Sequence, residues 1–185
     1  IDAGNLKEVF GRIREKIDRE MDEKRNVDKL REYYMESLPI LQENFYTSLI
    51  DGRIPEDEIE RYLDDYQISL TGPYYVVSIL HISATDISQN MNTFLLGVSV
   101  KKLVEEHMED EWKSRILMYL GDIVVITQLE RQDQINAFTD FMDQLCRLAK
   151  HVCEAAVTAG IGYVCNNLPD IRQSWQGARS AVSYR

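Results

Sequence analysis

Residues 74–82, Tyr-Tyr-Val-Val-Ser-Ile-Leu-His-Ile, constrain the fold more than any other part of the chain. The run is β-branched and aromatic, and its apolarity is almost unbroken where a half-exposed strand would alternate. It reads as a central strand buried on both faces. From Pro73 onward the pattern then switches period repeatedly. Ser83 to Asn90 is polar and loop-like, and Phe94, Leu95, Val98, Leu103 and Val104 belong to a helix. Trp112 to Leu120 and Ile123 to Leu129 read as two strands joined by a short Gly121-Asp122 hairpin. Phe138, Phe141, Met142, Leu145 and Leu148 recur at helical spacing, and Ala155 to Val164 reads as a strand whose Gly160 and Gly162 invite close backbone approach. Ile171, Trp175, Ala178 and Val182 close the chain as a helix. The order β-α-β-β-α-β-α predicts an α+β, ferredoxin-like domain with one added terminal helix, both crossover helices on one face of an antiparallel sheet.

The N-terminal part is helical and differently built. Leu6, Phe10, Ile13, Ile17 and Met21 form one stripe among charged residues, and after Asp22 to Arg25 the stripe resumes with Val27, Leu30 and Tyr34. A stripe this narrow fits a two-chain coiled-coil seam with a stutter, the alternative being a helix packed on the body of its own domain. Pro39 either starts a new helix capped by Ser37 or kinks a continuing one. Leu41, Phe45 and Leu49 make a second stripe that Asp51-Gly52 stops. Pro55 with Glu56, Asp57 and Glu58 opens another helix, carrying Ile59, Tyr62, Leu63 and Tyr66, and Thr71-Gly72-Pro73 marks a boundary. The chain thus divides into a signalling or coiled-coil helix (1–36), a helical connector (37–72) and an α+β domain (73–185).

Composition narrows the function. The 185 residues suffice for one well-buried core, and 44% hydrophobic with 28% charged residues argue against global disorder. A net charge of −10 opposes phosphate backbones and anionic membrane surfaces alike. No apolar run is long enough to span a bilayer. Cys146, Cys153 and Cys165 are odd in number and lack CxxC spacing, which fits buried thiols in a reducing cytoplasm. His81, His107 and His151 share no ligand spacing. Cys153 near His151 lacks a third partner for nucleophilic work. Gly160-Ile161-Gly162 is a lone GxG within a strand, a packing requirement and not a phosphate cradle. Glu105, Glu106, Glu109, Asp110 and Glu111 lack EF-hand spacing and read as solvent-facing. Tyr74, Tyr75, Trp112 and Tyr119 are core candidates that could also line a small-ligand pocket.

The stretch Leu120-Gly121-Asp122-Ile123-Val124-Val125-Ile126 resembles the metal-binding hairpin of nucleotide cyclases whose palm fold follows the same element order. A working diguanylate cyclase of the GGDEF type holds two divalent ions with carboxylates on the first strand and at the hairpin. Here Leu120 stands where the first Gly would be and Ile123 where the second acid would be. The first strand ends Leu80-His81-Ile82-Ser83, without the expected Asp, and Asp86 in the next loop is a lone acid. The resemblance therefore implies a degenerate GGDEF-like domain that is not an enzyme, with no catalytic residue, metal or cofactor.

A wider resemblance covers most of the chain. Ile1 to Val9 is similar to the lead-in to the last helix of a response-regulator receiver domain. Leu41-Gln42-Glu43-Asn44-Phe45, Leu49 to Ile54, Tyr74 to Val77 and the closing Gly160-Ile161-Gly162, Ser174, Ala178 and Ala181 to Arg185 are similar to the region between receiver and DNA-binding domains of large AraC-type response regulators. That resemblance implies a cytoplasmic homodimer controlling transcription. Its sensor histidine kinase would act through a receiver, and its DNA contact would come through a helix-turn-helix, neither of which lies in these residues. The alternative is a non-catalytic sensor that binds a nucleotide or metabolite.

Overall fold

The computed structural model describes residues 3–83 and 92–184. By internal contacts the chain separates into two units, Ile1–Gln42 and Glu43–Arg185.

The first unit is helical throughout its described part. It belongs to α1, Ala3–Asp51, whose last turns from Glu43 belong to the second unit. Pro39 lies inside the helix and starts no new one, so Ser37 is not an N-cap. Its hydroxyl instead donates to the Tyr33 carbonyl one turn back, at 2.7 Å. The helix also runs through residues 22–25 without a break. Positions seven apart consequently stay on one face, and Glu20, Lys24 and Arg31 continue the stripe begun by Leu6, Phe10, Ile13 and Ile17.

The second unit is built on a four-stranded antiparallel sheet in the order β2-β3-β1-β4, with β1 Tyr74–Ile82, β2 Ser114–Tyr119, β3 Asp122–Leu129 and β4 Val157–Ile161. This is the predicted ferredoxin-like order. The crossover helices α3, Thr93–Met108, and α4, Ile135–Val152, supply the core on one face. There Val76, Leu80, Ile123 and Val125 meet Val100, Val104, Phe138 and Met142. The opposite face is covered by the end of α1, by α2, Ile59–Asp65, and by α5, Ile171–Ser183, against Tyr75, Val77, Ile79, Val124 and Ile126. Both faces of β1 are therefore buried, which is why its sequence does not alternate.

In the sheet, the hairpin turn and the bounds of β2 and β4 differ from the sequence reading, β2 starting at Ser114 and not at Trp112. The hairpin turn is Leu120–Gly121, not Gly121–Asp122, because Leu120 and Gly121 both take positive φ, 51° and 83°, and Asp122 already pairs with Tyr119. This two-residue geometry matches the twist of the flanking strands. β4 is also shorter than residues 155–164. It leaves β1 at the Ser78↔Ile161 pair, and the Val77 amide is then satisfied by the Ser174 hydroxyl of α5 at 2.9 Å. Gly160 and Gly162 do what their spacing predicts: a Cβ on either would run into the backbone carbonyl of Ala178 or Ser174. Gly52, at φ 67°, ends α1 as expected.

Candidate functional site

β1 and β3 run antiparallel with Leu80 opposite Ile123, so the next pair along is His81 and Asp122. Side chains of such pairs share a face and lie close together. His81 Nδ1 sits 2.7 Å from Asp122 Oδ1. The ionised carboxylate only accepts, so the imidazole carries its proton on Nδ1. On its other flank His81 pairs with Thr158 of β4. The pair is half-exposed at the end of the sheet. Leu120 points into solvent at the tip, 69% exposed.

Ile123 behaves in the opposite way. Period-two alternation turns it to the other face of the sheet, where it is fully buried under α3 and α4. The four hairpin residues, Leu120, Gly121, Asp122 and Ile123, therefore split into a solvent-exposed turn, one carboxylate engaged with His81, and one core residue. Ser83 uses its backbone amide on the Ala156 carbonyl at 2.9 Å. Asp86 lies outside the described residues. Among the described residues no three His, Cys, Asp or Glu side chains converge as a metal site.

The same end of the sheet carries a contact that local spacing gave no hint of. The Tyr119 hydroxyl donates to Asp51 Oδ1 at 2.5 Å, across 68 residues of sequence, and Asp51 also pairs with Arg53 at 2.8 Å. The Tyr119 ring packs edge-on against Trp175 of α5. Hydrogen bonding to the Asp51 carboxylate, reinforced by burial, raises the Tyr119 hydroxyl above its ordinary pKa. Asp51 is the last residue of α1, where an acid opposes the helix dipole. Its bonds to Tyr119 and Arg53 offset that penalty and tie the end of α1 to the hairpin.

The four aromatic residues proposed as a pocket do not converge. Tyr75 faces the α5 side and donates its hydroxyl to the Leu70 carbonyl, whereas Trp112 packs on Phe138 and Phe141 of α4. His107 and His151, which share no ligand spacing in the sequence, line one open groove of ≈ 630 Å³ between α3 and α4 together with Cys153. His107 is occupied by the Leu103 carbonyl at 2.9 Å, and burial pushes the Cys153 thiol up, which disfavours a nucleophilic thiolate. All three cysteines are free and partly buried, less enclosed than expected. Among the described residues no helix is long and apolar enough to cross a membrane.

Comparison with known families matches residues 51–184 to the family described as GGDEF-like domain. No curated protein and no solved structure matches the chain.

Proposed function

The chain belongs to the GGDEF-like domain family, and from that premise we propose that it is a non-catalytic regulatory and dimerisation segment of a two-component response regulator. In this reading residues 1–36 are the signalling helix leaving a receiver, 37–72 the connector and 73–185 the degenerate GGDEF-like domain. Phosphorylation by a sensor histidine kinase at a receiver elsewhere in the protein alters the packing of the helix. The altered packing passes to an AraC-type helix-turn-helix that binds DNA in the cytoplasm. The resemblance to AraC-type regulators supports that context.

One observation carries the reading. Leu6, Phe10, Ile13, Ile17, Met21, Val27, Leu30 and Tyr34 are exposed along α1, from 38% at Tyr34 to 67% at Leu30. Leu6, Phe10, Ile13 and Ile17 share one face, and so much exposed apolar surface on one helix calls for a partner. A seam this narrow, flanked by charge, fits a second copy of the same helix. The loss of chemistry is supported by the buried Ile123 and by His81 in place of an acid.

Sedimentation equilibrium of the chain and of Ile13→Asp tests this. The chain is expected to dimerise, and Ile13→Asp to weaken association by at least about tenfold while the near-ultraviolet spectrum of the sheet domain is unchanged. A monomeric wild type, or a dimer indifferent to Ile13→Asp, overturns the seam.

A further inference from the structure

β2 is an edge strand, paired with β3 on one side only. Its turn fixes which backbone groups point outward. Tyr119 and Asp122 close a two-residue turn and so bond to each other, and counting back by twos places Leu117 and Arg115 inward as well. The bond from the Gln128 amide to the Lys113 carbonyl, 2.9 Å, keeps the same phase. Ser114, Ile116 and Met118 therefore turn their N–H and C=O groups away from the sheet.

Cavities of ≈ 400 Å³ and ≈ 550 Å³ lie along this edge, and Trp112, Ser114 and Arg115 line both. Two buried donors there have no acceptor among the described residues: Trp112 Nε1 and Arg115 Nε. Buried donors are rarely left unpaired in folded proteins, and each one costs about 1–3 kcal/mol when it is. The Arg115 guanidinium lies over the Tyr46 ring, 5.3 Å from its centroid. The surrounding walls carry Glu43, Glu109, Asp110 and Glu111, which are partnered by none of the ion pairs among the described residues, and they outnumber the bases Lys113 and Arg115, Lys101 being paired with Glu105.

We infer that the outer edge of β2 is a docking groove for an extended basic peptide segment, which adds as a fifth strand. Strand addition supplies backbone bonds to Ser114, Ile116 and Met118. Alternate basic side chains of the segment then reach the acidic walls. Charge selects this occupant over a second copy of the chain, because edge-to-edge self-pairing brings two acidic walls together. Nor does it select a free anion, which the same walls repel.

The test titrates the full chain against a short capped peptide of alternating lysine and valine, labelled for fluorescence anisotropy, with a glutamate–valine peptide as the comparison. The lysine peptide is expected to bind, the glutamate peptide not. Binding is expected to protect the Ile116 amide from hydrogen exchange. Ile116→Pro, which removes an outward N–H, and Glu109→Lys, which inverts one wall charge on an exposed residue, are each expected to weaken binding by about tenfold. If Ile116→Pro does not fold, Glu109→Lys and the exchange measurement decide. Absence of binding, equal binding of the two peptides, or binding without protection at Ile116 overturns the proposal. So does a dimer that Ile116→Pro dissociates, since that would make the edge a self-interface. The α1 seam stands or falls separately, because Ile13→Asp leaves this groove intact.

Discussion

His81 Nδ1 and Asp122 Oδ1 meet at 2.7 Å although 41 residues separate them in sequence. They face each other across the end of the first strand and the start of the third. An imidazole donating to a carboxylate needs no ion between them. His81→Asp is expected to place two like charges side by side, lowering stability by up to about 1 kcal/mol. Millimolar Mn²⁺ should restore it in urea titrations, while leaving the wild type unchanged. A loss that Mn²⁺ does not relieve would show that the two side chains are not adjacent.

The non-catalytic reading makes its own demand. Nucleoside triphosphates with Mg²⁺ or Mn²⁺ are expected to give no product with the chain and no change in its melting temperature. A ligand at a hundred times its Kd would stabilise by about 2.7 kcal/mol, which thermal shift detects easily. Product formation would refute the loss of activity, and a nucleotide-dependent shift would favour a sensor.

The tip of the hairpin is not optimised for stability. Leu120 holds φ 51° with its side chain in solvent, a conformation that disfavours a branched residue. Leu120→Asn creates the favoured Asn-Gly turn and is expected to raise stability by about 0.5–1 kcal/mol. Gly121→Val, at φ 83°, should lower it by about 1–2 kcal/mol despite the open space around it. Urea midpoints of the two variants moving in the same direction would contradict this backbone assignment.

Glycines on the two units should respond in opposite ways. Gly162→Ala drives a methyl group into the Ser174 backbone and is expected to cost more than about 3 kcal/mol, enough to reduce soluble yield. Gly11→Ala meets nothing within 4 Å on a helix and should gain about 1 kcal/mol of helix stability, read by circular dichroism.

Alkaline pH tests the buried phenols. Burial raises Tyr46 and Tyr75 above the ordinary 10.0, and the Asp51 hydrogen bond raises Tyr119. The folded chain therefore holds these protons more tightly than the unfolded chain. Their contribution is complete below pH 10 and is lost as pH climbs through the folded values. Tyr75→Phe should flatten that decline in urea titrations run across pH 9 to 12. In the same range Cys165, pushed up to about 11 mainly by burial, is expected to react with iodoacetamide slowly at neutral pH and about tenfold faster per pH unit above it.

Much of this was legible in the sequence, for reasons that differ from place to place. The unbroken apolarity of residues 74–82 announced a strand with two covered faces. Gly160 and Gly162 announced a backbone that must come close, and α5 is what comes. The turn was misplaced by one residue because Gly-Asp is a familiar turn pair, and nothing local marks a leucine as adopting positive φ. Pro39 left two readings open, a new helix capped by Ser37 or a continuing one. The helix simply continues, leaving that hydroxyl to bond one turn back. Asp51 and Tyr119 could not be linked from spacing, since long-range polar pairs leave no periodic trace. The sequence shows Asp122 as the retained acid of the hairpin and His81 in a first strand without the expected Asp, but does not mark the two as partners. The clue was that two positions serving one lost site must still be neighbours.

The burial of Ile123 bears on whether a second acid could be seated in the hairpin. An acid restored at that position would not emerge beside Asp122. It would arrive beneath α3 and α4 as a charge without water or counter-ion, at a cost of several kcal/mol. Re-creating the hairpin acid therefore requires rebuilding two helix faces together with it. The interior thus couples that single position to both helices: its residue stays apolar unless the two helix faces change with it.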